Sequence, residues 1–288
     1  MALLTDDTGL TKQDIQRLMD KSLALQAPDA ALRRASVINR LYFKPTVSGV
    51  DKLPDAPTLF VGNHALFGID ILVFVLALHH ETGRFARVLG DKFFFASPLG
   101  ELLMNFGMVL ADRDICGALM DAGEDLLVFP GGAAESTQPA ANKYTLDWRE
   151  HTGFVRMAAQ HGYDIAPFGM VGPDDCYDHL LEGHQLSETR LGRMLGRWGL
   201  TDDIRADIMP PITRGMLGTQ LPKPQPSFLA FGDPVAVPDC RGQEVPEAVL
   251  QSVQSAAAAR IESLLSDMLL LRAQSADSNS LLRRLLLL

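Results

Sequence analysis

The chain has 288 residues, of which 47% are hydrophobic and 21% are charged, and these proportions are typical of a globular protein with a sizeable core. The formal net charge of -9 at pH 7 argues against non-specific binding to nucleic acid, which requires a basic surface. The sequence contains no apolar run of about 18 residues, so we expect no membrane-spanning helix. The three cysteines are far apart without metal-ligand spacing, and no signal peptide is recognisable, which favours a reducing cytosol.

Two amphipathic helices are predicted at the beginning of the chain. Thr11 and Asp14 form a capping pair for the first helix, and Pro28 separates it from a second helix over residues 29–41. The second helix carries Arg33, Arg34 and Arg40 beside its apolar stripe, so it is suited either to packing against the protein or to lying on a membrane surface. We favour packing, because one apolar stripe is the usual pattern of a surface helix in a globular protein.

Short apolar runs alternate with helical patterns through the middle of the chain. Strands are predicted over residues 58–61, 84–89, 107–111, 126–129, 164–170 and 227–231. Helices are predicted over residues 98–105, 115–125, 151–162, 186–198 and 246–272, while residues 71–78 fit either a buried helix or a strand.

This alternation predicts an α/β fold with a mostly parallel central sheet, covered by helices on both faces, with N-terminal helices and a long C-terminal helix. We divide the chain into an N-terminal helical segment (residues 1–41), an α/β domain (42–240) and a C-terminal helix with its tail (241–288). Residues 174–226 show no clear periodicity, and their role is not predicted.

A histidine and an aspartate lie at the junction between the first predicted strand and the next apolar segment. An imidazole can accept a proton near neutral pH, and a nearby carboxylate can hold its tautomer, so His64 and Asp70 are a candidate catalytic pair. The pairing requires His64 in the loop and Asp70 in the first helical turn, and Gly68 permits such a bend. The alternative is that His64 is a polar loop residue and Asp70 caps the helix.

Other candidate residues fall at or near the ends of further predicted strands, where parallel α/β folds place their sites. Arg113 offers planar donors for phosphate or carboxylate, or else forms a surface pair with a flanking aspartate. The segment Phe129-Pro130-Gly131-Gly132 presents backbone amides that suit an oxyanion, although it also fits an ordinary tight turn. Glu135 is suited to orienting a substrate hydroxyl, to supporting Arg113, or to remaining solvated.

Several other kinds of site are not expected. The remaining histidines lack a metal-ligand pattern, so we predict no metal site. A Gly-x-Ser-x-Gly nucleophile elbow and a Gly-x-x-x-x-Gly-Lys-Ser/Thr phosphate loop are both missing from the sequence, which argues against an α/β-hydrolase and a P-loop nucleotide site.

Four of these segments occur in the order found in a known family. They are Asn63-His64 with Asp70, Gly107 through Arg113, Phe129-Pro130-Gly131-Gly132, and Pro167. Together they resemble the motifs of the glycerolipid acyltransferase superfamily, which includes glycerol-3-phosphate, lysophosphatidate and diacylglycerol acyltransferases, and the resemblance covers about residues 42–238. It implies that His64 and Asp70 are catalytic, and that Asn63, Gly107, Arg113, Phe129, Pro130, Gly131, Gly132, Glu135 and Pro167 bind substrate.

The sequence departs from the common pattern of that superfamily at two places. Five residues separate His64 from Asp70 instead of four, and the third motif has Gly131 in place of glutamate and Ala134 in place of arginine. Both departures resemble a Phe-Pro-Gly-Gly subgroup with a following glutamate, here Glu135, which is similar to diacylglycerol acyltransferases and plant phytyl ester synthases. The loss of one fixed positive charge favours a neutral alcohol over a phosphorylated glycerol as acceptor, although Arg113 leaves that point open.

The resemblance implies an enzyme that moves a fatty acyl group from acyl-CoA or acyl carrier protein to a lipid hydroxyl, with His64 as general base and without a cofactor. Its substrates imply a cytoplasmic protein peripherally associated with a membrane, and the candidate surfaces are the N-terminal helices, Phe93-Phe94-Phe95 and the cationic tail at residues 281–288. Three alternatives stay open: a lysophosphatidate or lysophospholipid acyltransferase, a non-catalytic lipid carrier, and an acyl-thioester hydrolase.

Overall fold

The computed structural model describes residues 11–91, 95, 98–148, 151–186, 189 and 209–275. Its strands are β1 (Thr46–Ser48), β2 (Leu59–Gly62), β3 (Arg87–Gly90), β4 (Met108–Leu110), β5 (Leu126–Val128), β6 (Ile165–Val171), β7 (Asp178–Leu181), β8 (Ile212–Arg214) and β9 (Phe228–Phe231). Its α-helices are α1 (Lys12–Ala24), α2 (Asp29–Tyr42), α3 (Ile69–Thr82), α4 (Pro98–Met104), α5 (Arg113–Asp121), α6 (Gly132–Ser136), α7 (Gly153–His161), α8 (Gly183–Leu186) and α9 (Glu247–Ser275). Short 3₁₀ turns include Leu66–Gly68, Ala140–Asn142, Pro173–Cys176 and Met216–Gly218.

The central sheet has the strand order β1-β9-β6-β2-β5-β3-β4. Neighbouring strands pair in parallel, except that β6 and β9 are antiparallel. Strands β7 and β8 form a separate antiparallel pair. The prediction of an α/β fold around a mostly parallel sheet is therefore confirmed.

Helices cover both faces of this sheet, and each face has its own buried cluster. On one face, α1, α5, α7 and α9 pack against the strands through residues such as Leu18, Ile115 and Ile261. On the other face, α2 and α3 do so through residues such as Leu32 and Phe74. Because Leu18 and Ile261 belong to one cluster, the N-terminal and C-terminal helices share the core of the α/β segment.

Local sequence signals account for most of the helices. At the start of α1, the Thr11 hydroxyl accepts the Asp14 N–H and the Asp14 carboxylate accepts the Thr11 N–H, so the predicted capping pair is confirmed. Residues 71–78 are helical and lie within α3, in which every residue from Val73 to His79 is buried. The predicted helix over residues 186–198 lies almost entirely outside the described residues.

The sequence prediction misses β1 and the β7–β8 pair. Turn signals over residues 47–57 dominate the local pattern, but Thr46–Ser48 first pairs in parallel with β9. Strands β7 and β8 lie in the segment 174–226, which shows no periodicity. Such short strands carry little local signal, and their pairing with a distant strand decides their conformation.

The strand directions bring several loops to one edge of the sheet. Strands β2, β5 and β6 run parallel, so the loops that follow them meet at their common carboxyl edge. Strands β1 and β9 run the opposite way, and Phe228, which begins β9, pairs with Val171 at the end of β6 and with Thr46 at the start of β1. The end of α2, which leads into β1, therefore reaches the same edge.

Candidate active site

The loop after β2 brings His64 and Asp70 together. The His64 Nδ1 atom lies 2.8 Å from Asp70 Oδ2, and the Asp70 side chain is fully buried. Asp70 is the second residue of α3, while His64 lies in the loop, which is the arrangement that the pairing requires. A carboxylate on Nδ1 fixes the ring tautomer and directs the other ring nitrogen, Nε2, away from Asp70.

A strained turn accommodates the five residues between these two side chains. Phe67 and Gly68 both adopt the left-handed conformation, with φ angles of 57° and 70°. This conformation costs a non-glycine residue on the order of 1 kcal/mol. The Phe67 ring packs edge-on against Tyr177, with the ring centroids 5.4 Å apart, and it remains 45% exposed. The tight turn lets Asp70 reach back to His64.

Phe129 packs on one face of the His64 imidazole. Its ring stacks on His64 with the centroids 4.2 Å apart and an angle of 14° between the planes. Phe129 follows β5, the neighbour of β2 in the sheet, and is buried. Only 12% of the His64 side chain is exposed, and none of the hydrogen bonds among the described residues involves Nε2. Nε2 is therefore the atom of His64 that can take a proton.

Glu135 holds the backbone of the histidine loop. Its side chain is 1% exposed, Oε2 accepts the His64 N–H at 2.9 Å, and Oε1 accepts the Asp147 N–H at 2.8 Å. This placement differs from the three roles that the sequence suggested, because the carboxylate is neither solvated nor directed at Arg113, and both of its oxygens bond to backbone.

Asp174 is a site residue that the sequence analysis missed. It lies in the 3₁₀ turn after β6, is 3% exposed, and its Oδ1 atom accepts the Leu66 N–H at 2.9 Å. Its position directly after Gly172-Pro173, at the end of a predicted central strand, was the available signal. Glu135 and Asp174 thus hold the loop that carries His64 at two points.

The electrostatics of the site favour a positive charge on the imidazole. Burial lowers the pKa of His64, but Asp70, Glu135 and Asp174 outweigh it, so the pKa lies above its ordinary value. Burial raises the pKa of Glu135 to about 7 against the opposing effect of its two backbone hydrogen bonds. Burial also raises the pKa of Asp174 to about 7, and the proximity of Asp70 adds to the rise. The surrounding carboxylates therefore stabilise the imidazolium that forms when His64 takes a proton.

Asn63 uses its side chain to extend the sheet. Its Nδ2 atom donates to the Met170 carbonyl at 3.0 Å, and its Oδ1 atom accepts the Met170 N–H at 2.8 Å. These two bonds hold the Asn63 side chain against β6, whereas the resemblance implied that Asn63 binds substrate. In the glycine turn, the Gly132 N–H donates to the Phe129 carbonyl at 3.0 Å, and the Pro130 carbonyl lies 2.9 Å from His151 Nδ1.

Three of the predicted site residues lie away from His64. Arg113 begins α5 after the carboxyl end of β4, and two strands separate β4 from β2, which places the strand ends roughly 14 Å apart. Gly107 precedes β4 at the opposite edge, where its φ of 92° and the nearby Phe85 ring require a glycine. Pro167 lies inside β6 opposite Val61, rather than at the end of the strand.

A polar groove lies on the far side of Glu135 from His64. Its volume is about 440 Å³, and it is lined by residues that include Ala134, Gln138, Asn142, Thr145 and Asp147. No lysine or arginine among the described residues lines it. Within the same described part of the chain, no group of three His, Cys, Asp or Glu side chains is arranged to hold a metal ion.

Comparison with known proteins finds one matching family model and several similar proteins. Residues 44–171 match the family model described as Acyltransferase, a segment that contains β2, the His64 loop, the glycine turn and β6. This segment of the chain is therefore similar to the acyltransferase family. Phytyl ester synthase 1, a chloroplastic protein of Arabidopsis thaliana, is 32% identical over 148 residues, which are 49% of this chain and 21% of that protein.

Two further similarities are more distant. A Mus musculus protein named DGAT1/2-independent enzyme synthesizing storage lipids is 29% identical over 122 residues, which are 42% of this chain and 37% of that protein. The crystal structure of the 1-acyl-sn-glycerophosphate acyltransferase PlsC from Thermotoga maritima has a TM-score of 0.46 and 14% identity, and the match covers 88% of this chain and 89% of that one. The chain thus matches about a fifth of the Arabidopsis protein and somewhat over a third of the mouse protein.

Proposed function

We propose that the chain transfers a fatty acyl group from an acyl thioester, acyl-CoA or acyl carrier protein, to the hydroxyl of a neutral lipid such as diacylglycerol or a long-chain alcohol. The observation that carries this proposal is the His64–Asp70 pair, which is held at 2.8 Å at the carboxyl edge of the sheet with Nε2 available. The names of two relatives, a phytyl ester synthase and an enzyme synthesizing storage lipids, support an ester product.

In the proposed reaction, His64 Nε2 removes the proton of the acceptor hydroxyl as its oxygen attacks the thioester carbonyl. The C–O bond forms and a tetrahedral oxyanion results, while Asp70 and the neighbouring carboxylates stabilise the imidazolium. The oxyanion then collapses, the C–S bond breaks, and the imidazolium returns its proton to the thiolate. The products are an ester and a free thiol, and His64 is regenerated without a covalent enzyme intermediate.

The oxyanion requires a hydrogen-bond donor beside His64. The Gly132 N–H donates to the Phe129 carbonyl, and two hydrogen bonds to Met170 hold the Asn63 side chain against β6. We therefore assign the oxyanion to the backbone N–H of Gly131, which follows Phe129 by two residues and so lies close to the imidazole that Phe129 stacks on.

The charge of the surroundings supports a neutral acceptor. The polar groove contains Ala134 where the common family pattern has arginine, and Asp147 gives it a carboxylate. A phosphate in this groove would find no cation among the described lining residues. Arg113 lies at the same carboxyl edge of the sheet as His64, but two strands separate their strands. We therefore assign Arg113 to a more distant part of a substrate, such as a phosphate of the acyl donor.

An exposed apolar surface supports peripheral contact with a membrane. Val37, Ile38 and Leu41 are 55%, 67% and 72% exposed on the outer face of α2, whose end reaches the edge of the sheet that carries His64. The Tyr42 hydroxyl donates to the Pro222 carbonyl, which places the exposed Leu221 beside this face. Helix α2 thus packs on α3 and also presents apolar side chains to solvent. Of the other candidate surfaces, Phe95 packs partly buried against the core, while Phe93, Phe94 and the tail lie outside the described residues.

No helix within the described ranges is long and apolar enough to cross a bilayer. Cosedimentation with phosphatidylcholine vesicles tests the α2 surface. We expect the protein to pellet with the vesicles, and we expect Ile38→Glu to reduce the bound fraction. Leu270→Glu is the matched control, because Leu270 is 60% exposed on α9, which packs on the opposite face of the sheet. Equal binding by all three proteins would contradict the proposed surface.

The proposed reaction is tested by free-thiol release from a long-chain acyl-CoA and from the corresponding acyl carrier protein. Each donor is supplied alone, with diacylglycerol, with a long-chain alcohol, or with lysophosphatidate. We expect release that depends on a neutral acceptor, and we expect His64→Ala to reduce it by about a hundredfold or more because the general base is lost.

His161→Ala is the matched control for this experiment. His161 Nδ1 also bonds an aspartate, Asp121 Oδ1, at 2.7 Å, but it ends α7 near the amino end of β6, at the opposite edge of the sheet. The His161→Ala variant should release free thiol at the rate of the wild type. Release without any acceptor would favour the hydrolase, release with lysophosphatidate alone would favour the lysophospholipid acyltransferase, and the absence of release would favour a lipid carrier.

A further inference from the structure

The side chain of Glu135 occupies the space that a side chain at residue 131 would need. A Cβ atom built on Gly131 would lie 2.2 Å from Glu135 Cδ and 2.3 Å from its Cγ. The φ angle of Gly131 is -70°, which any residue can adopt, so its backbone does not require glycine. Gly132 differs, because its φ is 53° and a Cβ there would meet nothing within 4 Å. The conformation of Glu135 is therefore the feature that excludes a side chain at 131.

We propose that Glu135 is a positioning residue for His64, and that residue 131 is glycine in order to make room for it. Both Glu135 oxygens accept backbone N–H groups, those of His64 and Asp147, so the carboxylate acts through the histidine loop and does not need to touch substrate. The glycine at 131 and the acid at 135 are then one coupled feature of this sequence. For its kinetic part, this inference rests on the proposed acyl transfer.

Charged groups from three elements face His64. They are Asp70 from α3, Glu135 from α6, and Asp174 from the turn after β6. Lys143 lowers the pKa of Asp174 and pairs with Asp175 at 3.0 Å. In this environment, removal of the negative charge of Glu135 is expected to lower the pKa of His64, because a carboxylate near an imidazole favours the imidazolium.

The first test does not depend on activity. The His64 imidazole is titrated by NMR in the wild type and in Glu135→Gln, and its signal is assigned by its loss in His64→Ala. We expect the pKa of His64 to fall by about half a unit in Glu135→Gln. Amide exchange at His64 and Asp147 should also become faster, because a glutamine side chain of the same shape offers one acceptor oxygen where the carboxylate offers two.

Asp125→Asn is the matched control. The Asp125 Oδ1 atom accepts the Thr58 N–H at 2.9 Å, so it holds the other end of β2 in the same way. This variant should leave the His64 titration and the His64 amide exchange unchanged. If Glu135→Gln also leaves both unchanged, Glu135 does not position His64. If both change while the wild type transfers no acyl group, the positioning role stands and the proposed reaction fails.

A double-mutant cycle tests the coupling to Gly131. Gly131→Ala should displace the Glu135 side chain and lower kcat about tenfold or more with little change in KM. Glu135→Ala removes that side chain and should change kcat and KM in the same way. The double variant Gly131→Ala/Glu135→Ala should be no worse than Glu135→Ala, because the alanine at 131 then has nothing to displace. Additive losses in the double variant would overturn the coupling.

Discussion

At each end of β2 a carboxylate accepts a backbone N–H, but the two carboxylates differ in their other partners. Before the strand, the Thr58 N–H is accepted by Asp125, and after it the His64 N–H is accepted by Glu135, each at 2.9 Å. Arg84 pairs with Asp125 through two nitrogens and also bonds the Pro54 carbonyl. No lysine or arginine among the described residues pairs with Glu135, and burial raises the pKa of its carboxyl to about 7.

This difference separates the amino end of the strand from the end that carries the proposed catalytic site. At the amino end, the negative charge is compensated in place, and the cluster joins β2 to β5 and the preceding loop. At the carboxyl end, the charges of Asp70, Glu135 and Asp174 all favour a positive charge on His64. A site that leaves carboxylates without fixed cations is less stable, but it stabilises the positive charge that a histidine base acquires during its reaction.

The largest effect is expected from the carboxylate that contacts His64 directly. Asp70→Asn should lower kcat by about a thousandfold or more, because the amide can hold the imidazole in the wrong tautomer. The overall fold should remain, since asparagine has the shape of aspartate, and this is checked by circular dichroism beside the thiol-release assay. Asp121→Asn, which alters the 2.7 Å contact between Asp121 and His161, should keep full activity. Equal activity of both variants would show that the His64–Asp70 contact is not used.

A substitution at the amino end of β2 should lower the stability of the protein and leave its kcat nearly unchanged. Arg84→Ala leaves Asp125 buried without its cation, so we expect a loss of about 2–4 kcal/mol in the free energy of unfolding. The kcat of the folded variant should stay within about twofold of the wild type, because Arg84 lies at the edge opposite His64. Urea unfolding and the transfer assay measure the two quantities separately. A large loss of kcat without a loss of stability would remove the distinction between the two ends.

Asp174→Asn is expected to have a smaller effect than Asp70→Asn. Asparagine keeps one acceptor oxygen for the Leu66 N–H, so the loop retains its second attachment, but the negative charge near His64 is lost. We expect kcat to fall about tenfold and its acidic limb to move to lower pH, because the pKa of His64 decreases. Asp175→Asn is not a suitable control, since Asp175 pairs with Lys143 and Arg272. Asp55→Asn, at an exposed position before β2, provides one, and an acidic limb at the same pH in all three proteins would contradict the assigned charge effect.

The sequence predicts the local parts of this site and misses the long-range ones. The pairing of His64 with Asp70 joins residues six apart across a loop whose glycine is visible in the sequence. The bond from Leu66 to Asp174 joins residues 108 apart, and the one from His64 to Glu135 joins residues 71 apart, so neither has a local signal. These contacts depend on which strands are neighbours.

Strand order also explains the misplaced residues. The alternation of strands and helices predicts a parallel sheet but does not specify that β5 and β3 separate β4 from β2, and this order places Arg113 across the sheet. The sequence analysis placed Pro167 near the end of its strand, but β6 continues to Val171 because it pairs with β9 on its other side. Gly107 lies at the opposite edge because the short strand β4 separates it from Arg113.

The smallest effect is a pH dependence of stability that belongs to the carboxyl end of β2. Burial raises the pKa of Glu135 from 4.5 and that of Asp174 from 3.8, each to about 7, so between these values the folded protein binds more protons than the unfolded chain. The free energy of unfolding therefore falls as the pH rises through this range. His64 acts in the same direction, because its pKa is higher in the folded protein than in the unfolded chain. Its stabilising contribution is fully present at a pH below the unfolded pKa, and it is lost as the pH rises through the folded pKa.

Urea unfolding of the wild type and Glu135→Gln between about pH 5 and about pH 8 measures this dependence. The free energy of unfolding of the wild type should fall by about 1 kcal/mol more than that of the variant across this range, because glutamine does not titrate. Net charge and the remaining histidines affect both proteins alike and cancel in the difference. Parallel curves would mean that Glu135 binds protons equally in the folded and unfolded states, and the contrast between the two ends of β2 would then lie in their hydrogen bonds alone.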